Sequence, residues 1–370
     1  MLTDPRIAKM AEVLIRYSLD TRPGDLLTIE GQPIAAPLIR ECYRQALLAG
    51  AHPHVDLTLP GLAEIFYQIA GDAQLEFVSP RAKLIMDTFD ARLSILSDVN
   101  TKALSGADPA KQARRQAAAR PLTQRFMERD ASGELRWSVA MYPTDAYAQD
   151  AEMSLADLAE FIFAACLLND PDPVASWRAV GARQQRLVDW LAGKREVRLL
   201  GQDTDLTLSI AGRTFINDDG KKNFPGGEIF TGPVEDSANG AIRFSFPAAL
   251  HGREVEDVRL RFEHGRVVEA TAAKNGDLLD HLLGMDEGAK RLGEFAFGLN
   301  PGVTRFTRNV LFDEKIAGTV HLALGASYPA TGGRNESALH WDMVCDLRDG
   351  GEVYVDGQLF AKDGKVTIEE

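Results

Sequence analysis

The chain has 370 residues, of which 45% are hydrophobic and 26% are charged, proportions that are ordinary for a soluble globular protein. Its 54 acidic and 41 basic residues give a formal net charge of −13 at pH 7, which argues against nucleic acid or an anionic membrane as the main partner, because both require a basic surface. A chain of this length exceeds what one hydrophobic core usually serves, so two domains are expected.

Targeting and redox features favour the cytoplasm. No stretch approaches the roughly 18 consecutive apolar residues of a transmembrane helix, and the amphipathic start of the chain lacks the apolar core of a signal peptide. The three cysteines, Cys42, Cys166 and Cys345, are widely spaced and odd in number. Neither a disulfide framework nor a CxxC zinc motif is therefore expected, which suits a reducing compartment.

The first half of the chain alternates strand-like and helix-like runs. A short apolar strand at 25–30 is followed by a helix at 37–48, which ends before Gly50, and by a strand at 54–58. This β-α-β order predicts parallel strands joined by a crossover helix. Two later strands and two long helices continue the pattern, at 92–96, 137–141, 154–168 and 177–191.

The pattern changes after Gly193, where short β runs dominate. His264-Gly265 and Asp356-Gly357 occupy positions typical of two-residue hairpin turns, and one helix at 277–283 interrupts the strands. The predicted strands are 197–200, 205–210, 242–246, 255–262, 267–272 and 353–355. The fold class expected from these patterns is α/β, with an N-terminal α/β domain of β-α-β units over residues 1–193 and a mixed, β-rich α+β C-terminal domain over residues 194–370.

Three further strand-like segments, at 293–298, 319–325 and 340–345, combine metal-competent side chains with small residues. Successive side chains of a strand point to opposite faces, so one face of each segment is expected to bury its large apolar residues. The other faces carry Glu294 with Ala296 and Gly298, His321 with Ala323 and Gly325, and His340 with Asp342. A purely structural sheet would fill the space beside these polar groups, so we expect the strands to hold a ligand.

Glu294, His321, His340 and Asp342 form a mixed nitrogen and oxygen set. Such sets suit zinc, manganese or cobalt better than calcium or magnesium. Each residue alone is more often a structural hydrogen-bonding group than a metal ligand. All four together, on strand faces lined with small residues, favour a metal site in the C-terminal domain.

Four other residues near these strands have two interpretations each. Glu228 follows a Pro-Gly-Gly turn, where it is either part of the turn or close to a ligand. Tyr328 is either a hydrogen-bond donor to an oxyanion or an amphipathic tyrosine at a sheet end. For Asp313 and Glu314 we favour capping of the helical turn before Lys315 over contact with a metal.

Several short motifs follow one another in a characteristic order through the second half of the chain. They are Asn223-Phe224-Pro225-Gly226-Gly227-Glu228-Ile229-Phe230-Thr231, Gly293-Glu294 with Gly298 and Asn300, Leu311-Phe312-Asp313-Glu314-Lys315 with Gly318-Thr319-Val320-His321, Gly325 with Tyr328, and His340-Trp341-Asp342. In this order they resemble the thermophilic-type metalloaminopeptidases, the M29 peptidases. Upstream, the resemblance extends to Tyr142-Pro143-Thr144, Trp177, Thr204-Asp205-Leu206 and Gly212-Arg213.

The resemblance implies a cytoplasmic, homodimeric exopeptidase that acts on peptides with a free N-terminus and carries two divalent metal ions in its C-terminal domain. The metal ligands that it implies are Glu228, Glu294, His321, His340 and Asp342, and Tyr328 matches the active-site tyrosine. Two such ions activate water and polarise the scissile carbonyl, and Tyr328 is the expected donor to the developing oxyanion. Glu294 is also the candidate general base, and whether it acts as ligand or as base stays open.

Two other functions remain as alternatives. The chain could be a metal-binding protein on the same scaffold without peptidase activity, or a metallohydrolase of another amide or ester. The N-terminal domain has no phosphate-binding loop, so we expect a scaffold that shapes the substrate cavity and the dimer.

Overall fold

The fold is taken from a computed structural model, which describes residues 4–250 and 253–368. The chain forms two compact units. Unit 1 contains the described residues up to Trp177 together with Gly220–Pro225, and unit 2 contains Arg178–Asp219 and the described residues from Gly226 onward. Within the described ranges, no helix combines the length and the apolar character needed to cross a membrane.

Helices and strands are numbered in chain order. The α-helices of the described ranges are α1 (Arg6–Val13), α2 (Ala36–Leu48), α3 (Leu62–Ile69), α4 (Asp72–Leu75), α5 (Pro80–Thr88), α6 (Pro109–Ala131), α7 (Asp145–Asp150), α8 (Leu155–Ala165), α9 (Pro173–Leu191), α10 (Gly276–Leu283) and α11 (Val310–Asp313). The strands are β1 (Leu26–Gly31), β2 (His52–Leu57), β3 (Ala91–Leu96), β4 (Arg136–Met141), β5 (Glu196–Gly201), β6 (Thr204–Ser209), β7 (Ile216–Asp218), β8 (Asn223–Phe224), β9 (Glu228–Thr231), β10 (Asn239–Phe244), β11 (Ala248–Leu250), β12 (Arg253–Val255), β13 (Val258–Glu263), β14 (Arg266–Thr271), β15 (Leu292–Gly298), β16 (Thr319–Gly325), β17 (His340–Asp346), β18 (Glu352–Val355), β19 (Gln358–Lys362) and β20 (Lys365–Val366).

Unit 1 is built on a parallel sheet with the strand order β2-β1-β3-β4-β8. The predicted β-α-β unit is confirmed, because β1 and β2 are adjacent and parallel and α2 connects them. Helix α2 buries Leu38 and Ile39, and it stops where Gly50 adopts a φ of +82° that favours glycine. Helix α8 begins after Ser154, the first residue of the helix predicted at 154–168, whose hydroxyl accepts a hydrogen bond from the Asp157 amide at 3.1 Å.

Unit 2 contains an antiparallel sheet with the strand order β14-β13-β10-β6-β5-β18-β19-β20. Both predicted hairpin turns are confirmed, and all four turn residues have positive φ: 48° and 74° at His264-Gly265, and 49° and 76° at Asp356-Gly357. The strand predicted at 255–262 is in fact two strands, β12 and β13. They separate at Asp257, where φ is 50° and the carboxylate binds the Arg243 guanidinium at 2.5 Å.

A second antiparallel sheet of unit 2, with the order β17-β16-β15-β9-β7, carries the predicted metal-competent strands. One face joins the core of the unit through Phe295, Phe297, Leu322 and Met343, all of which are buried. The α/β fold class is confirmed, with a parallel sheet in the N-terminal part and antiparallel, β-rich structure after it.

Candidate metal centre

Strand register brings the predicted polar residues onto one face of the sheet. In the β15–β16 pair, Glu294 lies opposite Ala323. In the β16–β17 pair, Ala323 lies opposite Asp342 and Gly325 lies opposite His340. Because directly opposed side chains point to the same face, small residues separate the acidic groups and leave room between them.

Glu228 reaches the same face from the first residue of β9, where it lies opposite Gly298. The preceding Gly227 has a φ of +118°, and a Cβ at this position would come within 2.5 Å of the Asn300 Cβ. The turn therefore requires glycine both for its backbone conformation and for the close approach of Asn300. The Glu228 side chain that follows is only 3% exposed.

Two groups of side chains can each hold a metal ion. Cluster 1 consists of Glu228, Glu314 and His321, and cluster 2 consists of Glu294, His340 and Asp342; within each cluster, one ligand atom per residue lies within 4.8 Å of the others. Glu294 spans both clusters, because its Oε1 is 3.6 Å from His321 Nε2 and its Oε2 is 3.3 Å from His340 Nε2.

Backbone carbonyl groups orient both imidazoles. His321 Nδ1 lies 3.2 Å from the Glu314 carbonyl oxygen, and His340 Nδ1 lies 2.8 Å from the Ala326 carbonyl oxygen. A carbonyl oxygen only accepts hydrogen bonds, so this contact assigns a proton to each Nδ1. Nε2 of each ring therefore faces the carboxylates, which is the usual arrangement of a metal-ligating histidine.

Buried atoms of the clusters lack hydrogen-bond partners among the described residues. They are Glu228 Oε2, His321 Nε2 and Asp342 Oδ1. Leaving such an atom unsatisfied costs about 1–3 kcal/mol, so three in one place indicate a missing ligand. The imidazole–carboxylate separations of 3.3–3.6 Å are long for hydrogen bonds. Two ligands that are each about 2.1 Å from a tetrahedral ion are about 3.4 Å apart, so the residues fit a divalent cation.

The electrostatics of the protein chain alone also favour a cation. Burial raises the pKa of Glu314, and the negative charge of Asp342 raises it further. Burial opposes the charged form of both imidazoles, yet contact with Glu294 and the surrounding carboxylates raises the pKa of His321 to about 10 and that of His340 to about 9. The clusters thus hold protons that divalent ions would displace.

Tyr328 lies beside cluster 2, and 46% of its surface is exposed. Its ring makes edge contacts with Phe230 and His340, at centroid distances of 5.5 and 5.2 Å. Burial of the hydroxyl and the charges of nearby carboxylates, Glu294 foremost, raise the Tyr328 pKa. The phenol therefore keeps its proton at neutral pH and can donate a hydrogen bond.

A cavity of about 270 Å³ adjoins both clusters. Its polar lining consists of Arg308, Asp313, Glu314, His340 and Asp342, and its apolar lining includes Phe306 and Val310. A cavity lined by both ligand atoms and apolar side chains can place the reacting bond of a substrate next to a metal centre.

Sequence reasoning missed Glu314. The cap of α11 is Asn309, whose side chain accepts a hydrogen bond from the Leu311 amide at 3.1 Å, so neither acidic residue begins the turn. Asp313 accepts hydrogen bonds from the amide and the hydroxyl of Thr307, at 2.7 and 2.9 Å, while Glu314 belongs to cluster 1. Lys315, which received no role, is fully buried among the carboxylates. The signal in the sequence that could have identified Glu314 is the adjacent Lys315, because an ammonium group that is buried requires acidic partners.

Comparison with known proteins agrees with the motif order. The family described as Thermophilic metalloprotease (M29) matches residues 3–365. Aminopeptidase T of Thermus thermophilus is 31% identical over 394 residues, which cover 95% of each chain. Aminopeptidase 2 of Geobacillus stearothermophilus is 28% identical over 401 residues, which cover 98% of this chain and 95% of that protein.

The structure of wild-type AmpT from Thermus thermophilus is similar over the whole fold, with a TM-score of 0.85 and 27% identity, and covers 98% of this chain and 99% of that one. The resemblance expected from the motifs is thereby confirmed. The family match, the fold and the two clusters of possible metal ligands all lead to the same assignment. The chain belongs to the M29 family of thermophilic metalloproteases.

Proposed function

We propose that this metal-dependent aminopeptidase holds two divalent ions, one in each cluster, and uses them to release N-terminal amino acids from peptides. Membership of the M29 family and relatives named as aminopeptidases support the activity. The observation that carries the proposal is the Glu294 carboxylate, whose two oxygens face the Nε2 atoms of two different histidines, His321 and His340.

The ligand assignment follows from the clusters. Glu228, Glu314 and His321 would hold one ion, and His340 with Asp342 would hold the other, with Glu294 shared between them. We propose zinc, manganese or cobalt, because the set mixes imidazole nitrogen with carboxylate oxygen.

The protein side chains position the reaction. When bound, the ions would supply Lewis-acid chemistry, lowering the pKa of water and polarising the scissile carbonyl. Tyr328, protonated at neutral pH, would donate a hydrogen bond to the carbonyl oxygen as negative charge develops on it. Because both oxygens of Glu294 are directed at the clusters, the geometry supports its role as a ligand over its role as the general base.

The substrate, assembly and location complete the proposal. The cavity beside cluster 2 supports peptide substrates, since apolar residues such as Phe306 and Val310 can pack against a substrate side chain.

We propose a homodimer, which sedimentation analysis tests, and a cytoplasmic location. The buried free thiols of Cys42, Cys166 and Cys345 suit a reducing compartment. The two alternative functions, a metal-binding protein without peptidase activity and a hydrolase of other amides or esters, are not favoured, because the relatives are named as aminopeptidases.

Hydrolysis of a free-amine dipeptide and of its N-acetylated twin tests the function. We expect metal-loaded wild type to cleave only the free form, because an aminopeptidase requires the free amine. His340→Ala should abolish this activity, while His281→Ala, a substitution on the exposed side of α10 in the same unit, should not. Cleavage of both dipeptides would indicate a broader amidase, and cleavage of neither by a metal-loaded enzyme would indicate a non-peptidase metalloprotein.

A further inference from the structure

We propose that Lys315 is a positioning residue for cluster 1, which fixes one oxygen of Glu228 so that the other oxygen faces the ion. The inference rests on the proposed two-ion function and adds a residue that acts through the ligands. Lys315 would contact neither the ion nor the substrate.

The ammonium group of Lys315 contacts three carboxylates. Lys315 Nζ lies 3.1 Å from Glu228 Oε1, 3.3 Å from Glu314 Oε2 and 3.6 Å from Asp218 Oδ2. The other oxygen of Glu228, Oε2, has no hydrogen-bond partner among the described residues and lies 3.6 Å from His321 Nε2. One oxygen of Glu228 is thus held by the lysine while the other remains available for an ion.

The backbone of Lys315 is fixed against the turn that presents Glu228. Its carbonyl oxygen accepts a hydrogen bond from the Asn300 amide at 3.0 Å. The Asn300 side chain in turn donates to the Gly226 carbonyl oxygen at 2.9 Å. Asn300 therefore connects the lysine to the glycine turn, so the ammonium and the Glu228 carboxylate are placed by one framework.

Burial shows that the lysine depends on these partners. Its side chain has no exposed surface, and removing an ammonium group from water costs several kcal/mol unless charged groups surround it. Asp218 is itself 7% exposed and lies outside both clusters. The chain therefore gives the ammonium a buried acidic partner, directly opposite Glu228 in the β7–β9 pair, that belongs to neither cluster.

Charge balance gives the lysine a second reason to be present. Glu228, Glu294, Glu314, Asp342 and Asp218 contribute five negative charges when metal is bound, and Lys315 contributes one positive charge. The remaining charge of −4 equals what two divalent ions neutralise. A neutral residue at this position would leave one buried negative charge uncompensated.

Titration of the metal-free protein with Zn²⁺, followed by calorimetry and metal analysis, tests the inference. We expect wild type to bind two ions per chain. In Lys315→Met, we expect the affinity of one site to fall by about 10- to 100-fold while the other site keeps its affinity, as for loss of a group that orients ligands. Lys274→Met, which removes an exposed lysine of the same unit that pairs with Glu256, should match wild type.

A second variant covers the case in which Lys315→Met does not fold. Asp218→Asn neutralises this acidic partner of the ammonium and leaves every cluster residue in place, so the same site should weaken by a smaller factor. Wild-type affinity at both sites in the folded variants, with only the unfolding temperature of the metal-free protein lowered, would show a purely structural lysine and overturn the inference. If wild type itself binds fewer than two ions, the proposed function fails instead.

Discussion

Asp313 and Glu314 are adjacent acids that the fold uses for different purposes. Burial raises the pKa of Asp313 to about 7, opposed by its hydrogen bonds from Thr307, and its oxygen closes the loop that precedes α11. Glu314 faces Glu228 and His321. A single residue step therefore separates a structural acid from a proposed metal ligand.

We expect Glu314→Gln to reduce the bound metal from two ions to one, because a neutral amide replaces a charged ligand in cluster 1. The neighbouring Asp313→Ala should keep both ions and lose about 1–3 kcal/mol of stability, since the amide and the hydroxyl of Thr307 lose their acceptor. Metal analysis and chemical denaturation of both variants separate the two effects. Full metal content in Glu314→Gln would remove Glu314 from the ligand set.

Tyr328 gives a second prediction at this scale. Tyr328→Phe should lower kcat by about 10²- to 10³-fold and leave KM and the metal content unchanged, because only a donor to the developing oxyanion is lost. The ring contacts with Phe230 and His340 persist in phenylalanine. Tyr354→Phe, which removes a hydroxyl bound to Glu352, is the matched control. A change confined to KM would assign Tyr328 to substrate binding alone.

At the scale of elements, the space between the side chains of Glu294 on β15 and Asp342 on β17 depends on one small residue of the intervening strand β16. Ala323 lies opposite both Glu294 and Asp342 and is fully buried. We expect Ala323→Val to cost about 1–3 kcal/mol and to weaken metal binding, because added methyl groups enter a packed space between two ligands. Ala241→Val, on an exposed position of β10, should change stability by no more than about 0.5 kcal/mol. Denaturation curves and zinc titration measure both quantities, and unchanged zinc affinity in Ala323→Val would show that the space is not needed.

Alternation along these strands explains why their faces could be predicted. Within each strand, a period of two places Glu294, His321 or Asp342 on the face away from that strand's large apolar residues, without any knowledge of the neighbouring strands. Glu314 follows a single helical turn, where no period applies, and its approach to cluster 1 depends on the tertiary fold. In unit 1, helix α3 carries apolar residues at helical spacing, Leu62, Ile65 and Ile69, but all three are exposed. Helix α5 contains no buried residue and α6 buries only Arg129.

At the scale of the whole molecule, all proposed ligands belong to unit 2. Removal of metal should therefore act unevenly, because the sheet β17-β16-β15-β9-β7 of unit 2 carries carboxylates that repel one another without a cation. We expect chelation to lower the unfolding temperature and to increase amide exchange in β9, β15, β16 and β17, while β1 to β4 of unit 1 keep their protection. Zinc at a hundredfold excess over the Kd of a site should restore about 2.7 kcal/mol of stability for each ion bound. Equal changes in both units would contradict a site confined to unit 2.

The order of the ligands along the chain has a consequence for biosynthesis. Glu228, Glu314 and His321 all precede His340 and Asp342, and only Glu294 of cluster 2 is made before cluster 1 is complete. At ordinary translation rates, on the order of 10 s separates synthesis of Glu228 from that of Asp342. A nascent chain on the ribosome thus has all three cluster 1 residues before it has His340 and Asp342 of cluster 2. On the proposed ligand assignment, a chain that has not yet reached Asp342 lacks part of cluster 2, so we expect such a nascent chain to have no aminopeptidase activity.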